Sequence, residues 1–359
     1  MEVPTPRPKK PVLAKAGKTI GFQKRYNFIL FVIFGGAMLG FTLAKFQYLN
    51  YDKIYCNRER TGLSTASPGE CYWYDRGFYR IGMLMHLGGT LPAGFLTVFQ
   101  FIPVIRYTSM VFHRINGYLV LVLFLVSNAG MFMFVRHSFG GELETQVASG
   151  TLAIMSVGAM SLAYYNVKML QIDQHRAWML RGWFYAGCII TVRIILIITA
   201  VIVGTQKNYY TARPCYQLDY IFKTREATLQ HYPECIPFYN GTSPGQMVVV
   251  NAKMGSTAAE ASAALGISFG MSMWLALALH AIGVELQLTP REAERLRLVS
   301  YKRQLEAGMR NPGSAGITVE KLGDARPWVP TRQDSDSTVR FTESPAPGSD
   351  RHSNVESSS

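Results

Sequence analysis

Residues Gln174–Ile195, QHRAWMLRGWFYAGCIITVRII, combine a polar start with a long apolar run and indicate a membrane-spanning helix. This stretch begins with the polar pair His175-Arg176 and continues as an apolar helix that carries a charged residue, Arg193, about halfway along. An arginine at the centre of a membrane helix costs roughly 2.5–3.5 kcal/mol, so we expect it to have a partner. No other apolar segment places an Asp or Glu at matching depth. The partner is then either a group other than a carboxylate or an anionic ligand.

Similar apolar runs occur along the whole chain of 359 residues, 48% of which are hydrophobic. Runs of about 20 apolar residues with few charges are typical of membrane-spanning helices. At about 1.5 Å per residue each can cross a hydrocarbon core of roughly 30 Å. The sequence therefore predicts an all-α, polytopic integral membrane bundle over residues 27–288, with these spans in chain order: Asn27–Leu49, Ile81–Pro103, Ile115–Arg136, Gly150–Leu170, Trp183–Gly204 and Ala261–Leu286.

The two ends of the chain are polar. Residues 1–26 are basic and predict a disordered tail, and residues 309–359, rich in Ser, Pro, Asp and Gly, predict another. Between the last span and the second tail, Thr289-Pro290-Arg291-Glu292 has the pattern of a capped helix start. Residues 289–308 are therefore predicted to form a basic amphipathic helix at the membrane surface, with membrane lipids as partners.

The distribution of basic residues predicts the orientation. Six spans place four basic segments on one face, which the positive-inside rule makes cytoplasmic together with both termini: 1–25, 104–114, 171–182 and 291–303. The formal net charge of +13 lies largely at these span ends, which argues against a nucleic-acid partner. The predicted localisation is a multi-pass protein of an endomembrane or of the plasma membrane.

Two loops, 50–80 and 205–260, fall on the opposite face. They hold the disulfide candidates Cys56, Cys71, Cys215 and Cys235, and the glycosylation sequon that begins at Asn240. These features suit an oxidising lumen or the cell exterior. Pairing within each loop is the simplest of the three connectivities that four cysteines allow.

Histidines near the span ends are candidate ligands. His113 and His175 lie toward the cytoplasmic side, and His86 and His137 toward the outer side. Facing imidazoles could hold b-type haem, with His113 and His175 as ligands of an inner haem and His86 and His137 as ligands of an outer one. The arginines that could form ion pairs with the haem propionates are Arg114, Arg176, Arg181 and Arg193. Against haem, 24 residues separate His113 from His137, about 36 Å of helix, which puts both at the interfaces.

Two other interpretations of these histidines stay open. His-Arg pairs at span ends also anchor a helix at the membrane interface, which suits His137 and His280 best. A metal site built from His113, His175 and His280 is a further alternative, because imidazole suits zinc or iron. No short-spaced ligand pair supports it, so no metal is assigned.

Three motifs carry a resemblance. His86-Leu-Gly-Gly, His113-Arg-Ile-Asn-Gly-Tyr and His175-Arg-Ala-Trp-Met-Leu-Arg181, followed by Arg193, resemble a family of predicted multi-pass membrane proteins of bacteria and fungi, described only as a domain of unknown function. The resemblance covers about Phe78–Ala200 and implies a four-helix core of spans 2–5, with no established activity. The core is also distantly similar to cytochrome b561-type bundles, from which the histidine spacing departs. The Ser-rich tail and long outer loops look fungal, and such proteins can belong to specialised-metabolite pathways.

The functional expectation is a polar cavity between spans 2, 3 and 5. We expect it to be lined by His86, His113, His175, Arg181 and Arg193, with Asn128 as a hydrogen-bond partner of Arg193. The first hypothesis is membrane-embedded redox or biosynthetic chemistry on a lipophilic substrate. The alternatives are a non-enzymatic carrier or binding protein for an anionic or amphipathic small molecule, and a structural partner of another membrane enzyme.

Overall fold

The computed structural model describes residues 12–22, 24–57 and 64–288. This part of the chain has six helices that are long and apolar enough to cross a membrane, numbered here as spans 1 to 6: Arg25–Leu49, Gly77–Gln100, Met110–Gly140, Leu143–Lys168, Gln174–Gln206 and Ala258–Gln287. The predicted all-α, six-span membrane bundle is confirmed. Each observed span ends within four residues of the apolar run that predicts it. Spans 4 and 5 begin earlier than predicted, by seven residues (Leu143 against Gly150) and nine residues (Gln174 against Trp183).

Two spans have local irregularities, and span 5 is one continuous α-helix. Span 1 consists of an α-helix Arg25–Leu30, a π-turn Phe31–Gly35, an α-helix Gly36–Lys45 and a 3-10 turn Phe46–Leu49. Span 3 is α-helical over Met110–Phe134 and ends in the irregular segment Val135–Gly140, while the α-helix of span 5 begins at Ile172. The shorter helices are Val12–Thr19, Tyr51–Tyr55 (π), Cys71–Tyr74, Pro103–Thr108, Cys215–Phe222, Arg225–His231, Pro233–Cys235 (3-10) and Ile236–Tyr239.

The spans form two groups. Spans 2 and 3 approach closely because a Cβ on Gly82, Gly89 or Gly130 would collide with the opposite helix. Spans 4, 5 and 6 pack around a shared apolar core. The two groups meet in a smaller cluster that contains Val120 and Trp183. This cluster lies toward the end of the bundle formed by the short turns 101–109 and 169–171, which we call the turn face.

The opposite end of the bundle, the disulfide face, is capped by the two long loops. Disulfides join Cys56 to Cys71 and Cys215 to Cys235, as the simplest pairing predicts, and Cys188 is buried and free. Strands β1 (Tyr210–Pro214) and β2 (Met247–Asn251) pair antiparallel within the second loop. The loops also contact each other, since Tyr72 stacks on Tyr216 with ring centroids 4.9 Å apart.

The structure describes part of the N-terminal polar segment, from residue 12, and no residue after 288. Residues Val12–Thr19, inside the segment predicted to be disordered, form a helix that packs against span 1. Phe22 contacts the rings of Phe28 and Phe31 at centroid distances of 5.7 and 5.2 Å, and this apolar contact holds the segment. The predicted amphipathic helix at 289–308 and the tail at 309–359 lie outside the described residues.

Candidate functional site

The loop between spans 1 and 2 brings a carboxyl group into the disulfide-face end of the bundle. Glu70 is only 4% exposed. Its oxygens accept hydrogen bonds from the N–H of Phe139 at 2.5 Å, the N–H of Ser67 at 3.2 Å and the hydroxyl of Tyr74 at 3.3 Å. Burial raises the pKa of Glu70 to about 7, although the Phe139 bond and the charge of Arg193 oppose the rise. Glu70 therefore changes protonation state near neutral pH.

The N–H that Glu70 accepts comes from a strained residue. Phe139 has a φ of +50°, a left-handed conformation that is uncommon outside glycine, and Gly140 and Gly141 follow with φ of +90° and +77°. Such a residue costs of order 1–3 kcal/mol and persists only where its surroundings hold it. Here the Phe139 ring stacks on Phe269 of span 6 with centroids 3.9 Å apart. The strain directs the Phe139 N–H toward Glu70.

Arg193 lies beside these two aromatic rings. Its guanidinium carbon is 5.5 Å from the centroid of Phe139 and 5.8 Å from that of Phe269, within the range of cation–π attraction. Its charge also acts on Glu70. The other apolar segments offer no carboxylate at the depth of Arg193. Glu70 instead comes within electrostatic range of Arg193 from a loop, because the disulfide-bonded segment folds back onto the span ends.

His86 joins this group from span 2. Its Nδ1 lies 3.0 Å from Oγ and 3.1 Å from the carbonyl oxygen of Ser127 in span 3, and Arg193 acts on it electrostatically. The rings of His86 and Tyr74 both contact Phe134, at centroid distances of 5.4 and 5.5 Å. Tyr55 stacks on Tyr74 with ring centroids 6.5 Å apart. We call the set Tyr55, Glu70, Tyr74, His86 and Arg193 the Glu70 cluster.

Span 5 is covered by spans 2 and 3 only near the turn face. There, Trp183 is 9% exposed and packs against residues of spans 2 and 3. Eleven residues later on the same side of the helix, Ile194 is 60% exposed, and Ile197 is 62% exposed. Toward the disulfide face, spans 2 and 3 therefore leave this side of span 5 uncovered. The exposed Arg193 lies at the start of this exposed apolar strip.

Sequence reasoning missed a second arginine near Glu70. Arg213, in β1, is 4% exposed, and its Nε and Nη2 have no hydrogen-bond partner in the described part of the chain. Burial lowers the pKa of Arg213, while the charges of Glu142 and Glu70 oppose that change. The glycines Gly140 and Gly266 leave the space that its guanidinium fills. No motif marks Arg213, because only the folded loop brings it close to Glu70.

Two predicted cavity residues have other contacts. Arg181 binds Glu285 of span 6 through two hydrogen bonds, of 2.6 and 2.8 Å, and joins spans 5 and 6 at the turn face. The side-chain amide of Asn128 donates a hydrogen bond of 2.8 Å to the carbonyl oxygen of Phe124 on its own helix. This bond takes the place of the hydrogen bond to Arg193 that we expected. Both side chains are satisfied locally, so the structure separates them from the Glu70 cluster.

The remaining histidines lie in different surroundings. His137 stacks on Trp73 with centroids 3.9 Å apart, whereas His86 bonds Ser127, so the expected outer pair is not brought together. His280 bonds Thr191 and the carbonyl oxygen of Phe184, both of span 5. His113 and His175 do act on each other at the turn face. His280 is thus held apart from that pair.

The arginines that follow these two histidines have different exposures. Arg114 is exposed and acts on His113, and Arg176 is half-buried beside His175. Among the described residues, no group of three or more His, Cys, Asp or Glu side chains could hold a metal ion.

Comparison with known proteins agrees with this architecture. Residues 83–215 match a family model described as "Predicted membrane protein (DUF2306)". The curated "Ava biosynthesis cluster protein G" of Aspergillus versicolor is 23% identical, across 78% of this chain and 93% of that protein. No solved structure matches. The matched family region takes in His86, Arg193 and Arg213, and it begins after Glu70. The chain is therefore an integral multi-pass membrane protein that resembles a family of predicted membrane proteins.

Proposed function

We propose that this protein is a membrane-embedded biosynthetic enzyme that moves a proton on a lipophilic small molecule, with Glu70 as the acid–base group. The observation that carries the proposal is the buried Glu70 carboxyl, whose pKa is raised to about 7 beside Arg193. An acid–base catalyst works best when its pKa is close to the operating pH. Strongly shifted carboxyl groups in clefts are candidates for catalysis.

The resting state favours Glu70 as the base. Its oxygens accept three hydrogen bonds, and an ionised carboxylate is the form that only accepts. In the proposed step, a C–H or O–H bond of the substrate breaks and its proton passes to Glu70. The electron pair left on the substrate forms a new bond or shifts a double bond. Glu70 then returns the proton to another position, so substrate and product are isomers and no oxidant is needed.

The proposed substrate class follows from the exposed apolar strip of span 5. Ile194, Ile197 and Val201 are exposed along this strip, and Arg193 lies at its start. A lipophilic molecule in the bilayer could lie along the strip, and Arg193 would hold a carbonyl, enolate or carboxylate oxygen near Glu70. A guanidinium in a site of low dielectric stabilises negative charge that develops on such an oxygen. The Aspergillus versicolor relative, a biosynthesis cluster protein by its name, supports a biosynthetic role.

A second candidate is a carrier or binding protein for an anionic amphipathic molecule. Arg193 makes no ion pair within 4 Å in the described part of the chain, which favours an external anion. Deletion of the gene would then change where a compound accumulates and leave its chemical structure unchanged. If the protein is an enzyme, gene deletion should instead cause a chemically different compound to accumulate.

The test is gene deletion in the source organism, followed by complementation. We expect loss of one lipophilic metabolite and accumulation of a compound of identical mass. The wild-type gene should restore the product and Glu70→Gln should not. Glu234→Gln is the matched control, because Glu234 is an exposed glutamate of the disulfide face. Full complementation by Glu70→Gln would reject acid–base catalysis at this residue.

The optical spectrum tests the haem hypothesis directly. Because His86 and His137 have separate partners, and because the proposed chemistry needs no electron carrier, we expect purified protein supplemented with haem to show no Soret band. A Soret band that His113→Gln removes would instead place haem at the turn face. That result would favour redox chemistry over proton transfer.

The orientation is part of the proposal. We propose that the turn face and both termini are cytoplasmic, and that the disulfide face meets a lumen or the exterior. Asn240 supports this because it is exposed at the end of the short helix Ile236–Tyr239 and is thus accessible for glycosylation.

A further inference from the structure

A row of two hydrogen bonds leads from the Glu70 carboxyl toward the disulfide face. The hydroxyl of Tyr74 donates to Oε1 of Glu70 at 3.3 Å, and the same hydroxyl oxygen lies 2.9 Å from Oγ of Ser138. A hydroxyl is both a donor and an acceptor, and its hydrogen rotates to suit its neighbours. The row from Ser138 through Tyr74 to Glu70 can therefore pass a proton in either direction.

Tyr74 is the partner through which Glu70 can exchange its proton. Glu70 is 4% exposed and Tyr74 is 1% exposed, so both are shielded from water. The other two hydrogen bonds to Glu70 come from main-chain N–H groups, of Phe139 and Ser67, which hold their protons at neutral pH. Among the hydrogen-bond partners of Glu70 in the described part of the chain, Tyr74 alone therefore offers a hydroxyl.

The outer end of the row lies at the surface of the bundle. Ser138 belongs to the irregular segment that follows the α-helix of span 3, where its φ of −76° and ψ of 132° are not helical. It keeps 7% exposure, and Arg136 and Gly140 on either side of it are exposed. The Ser138 hydroxyl is thus the member of the row that lies nearest to the water of the disulfide face.

We propose that Tyr74 and Ser138 form a proton relay that connects Glu70 with the water at the disulfide face. As Ser138 takes a proton from water, its own proton moves to Tyr74 and the Tyr74 proton moves to Glu70, so each hydroxyl keeps one proton. The reverse sequence discharges Glu70. Burial raises the pKa of Tyr74 well above its usual value, so the transfers occur together and no phenolate accumulates. The catalytic use of the relay rests on the proposed function: the hydrogen that Glu70 returns to the substrate would come from this water.

The experiment follows exchange of the Glu70 proton by infrared spectroscopy, on the full-length protein without substrate. At about pH 5 Glu70 is protonated in the folded protein, and its C=O band is identified by its absence from Glu70→Gln. Transfer from H2O to D2O shifts this band as O–H becomes O–D. A positioned donor accelerates proton transfer by roughly 10²–10⁴-fold, so we expect Ser138→Ala and Tyr74→Phe to slow this shift by about tenfold or more. Ser138→Thr, which keeps the hydroxyl, should exchange at the wild-type rate.

Two comparisons separate a relay from a structural role. The Ser138 hydroxyl bonds Tyr74 and not Glu70, so Ser138→Ala should slow exchange without moving the pH midpoint of the Glu70 band. Tyr74→Phe should also raise that midpoint, because the Tyr74 hydrogen bond lowers the pKa of Glu70. Tyr51→Phe is the matched control: it removes a buried hydroxyl that donates to the main-chain oxygen of Tyr74 at 2.7 Å and lies outside the row. It should exchange as the wild type does.

The relay is overturned if Ser138→Ala exchanges as fast as the wild type, or if Tyr51→Phe slows exchange by as much as Ser138→Ala. Either result would leave the proposed role of Glu70 as the base untouched. A Glu70 band that does not titrate near pH 7 would instead reject both the relay and the proposed function.

Discussion

The thermal stability of the purified protein should fall as the pH is raised from 5 to 8, and Glu70→Gln should remove most of that fall. The pKa of Glu70 is raised from 4.5 to about 7 in the folded protein, so folding favours its protonated form. This contribution to stability is fully present below pH 4.5 and is lost as the pH rises through about 7. At 1.36 kcal/mol per pH unit, the loss between pH 5 and 8 is about 2–3 kcal/mol.

The measurement is a series of thermal melts in one detergent at constant ionic strength. Wild type, Glu70→Gln and the exposed control Glu234→Gln are compared by the slope of melting temperature against pH, since each substitution also shifts the absolute value. The control should keep the wild-type slope. An unchanged slope in Glu70→Gln would show that another group titrates and would remove the basis for assigning Glu70 as the base. For the proposed reaction with Glu70 as the base, the same ionisation predicts that kcat/KM rises with pH to a plateau above about 7.

Replacement of Arg193 by Leu should weaken binding of the substrate by about tenfold to a hundredfold. A charge-assisted hydrogen bond to an oxyanion contributes about 1.5–3 kcal/mol, and 1.4 kcal/mol is a factor of ten in affinity. Expression should be unimpaired, because Leu is inserted into a membrane helix more readily than Arg. The pKa of Glu70 should rise further, since the Arg193 charge that opposes the rise is removed. The pH-dependent fall in melting temperature should therefore move to higher pH.

Arg181→Leu is the matched control for this substitution. It makes the same change on the same helix, but at the turn face, where Arg181 binds the half-exposed Glu285. We expect it to leave both substrate affinity and the pH midpoint unchanged. It should lower the melting temperature, because Glu285 loses both hydrogen bonds to a side chain that is only 15% exposed. Binding is measured with the compound that accumulates on gene deletion. Equal affinity of wild type and Arg193→Leu would exclude Arg193 from the site.

Only part of the candidate site could be predicted from the sequence. His86 and Arg193 stood out because polar groups inside apolar helices are costly and are retained for a reason. Glu70 and Arg213 did not stand out, because a charged residue in a polar loop is ordinary. What makes them unusual is burial, 4% exposure in each case, and burial depends on how the two loops fold onto the span ends. Asn128 and Arg181 were placed in the site by depth alone, and the structure gives them partners elsewhere.

The six spans and the all-α class of this protein could be predicted from its amino-acid sequence without a structure. Insertion of a helix into a bilayer depends on local composition and length, which can be read directly from the chain. The neighbours of Arg193 could be identified only from the tertiary structure. Its carboxylate neighbour comes from a disulfide-bonded loop, and its aromatic neighbours come from a strained turn after span 3 and from span 6. Such contacts join segments that are distant in sequence, so their energies appear only when the loop, the turn and the spans are packed together.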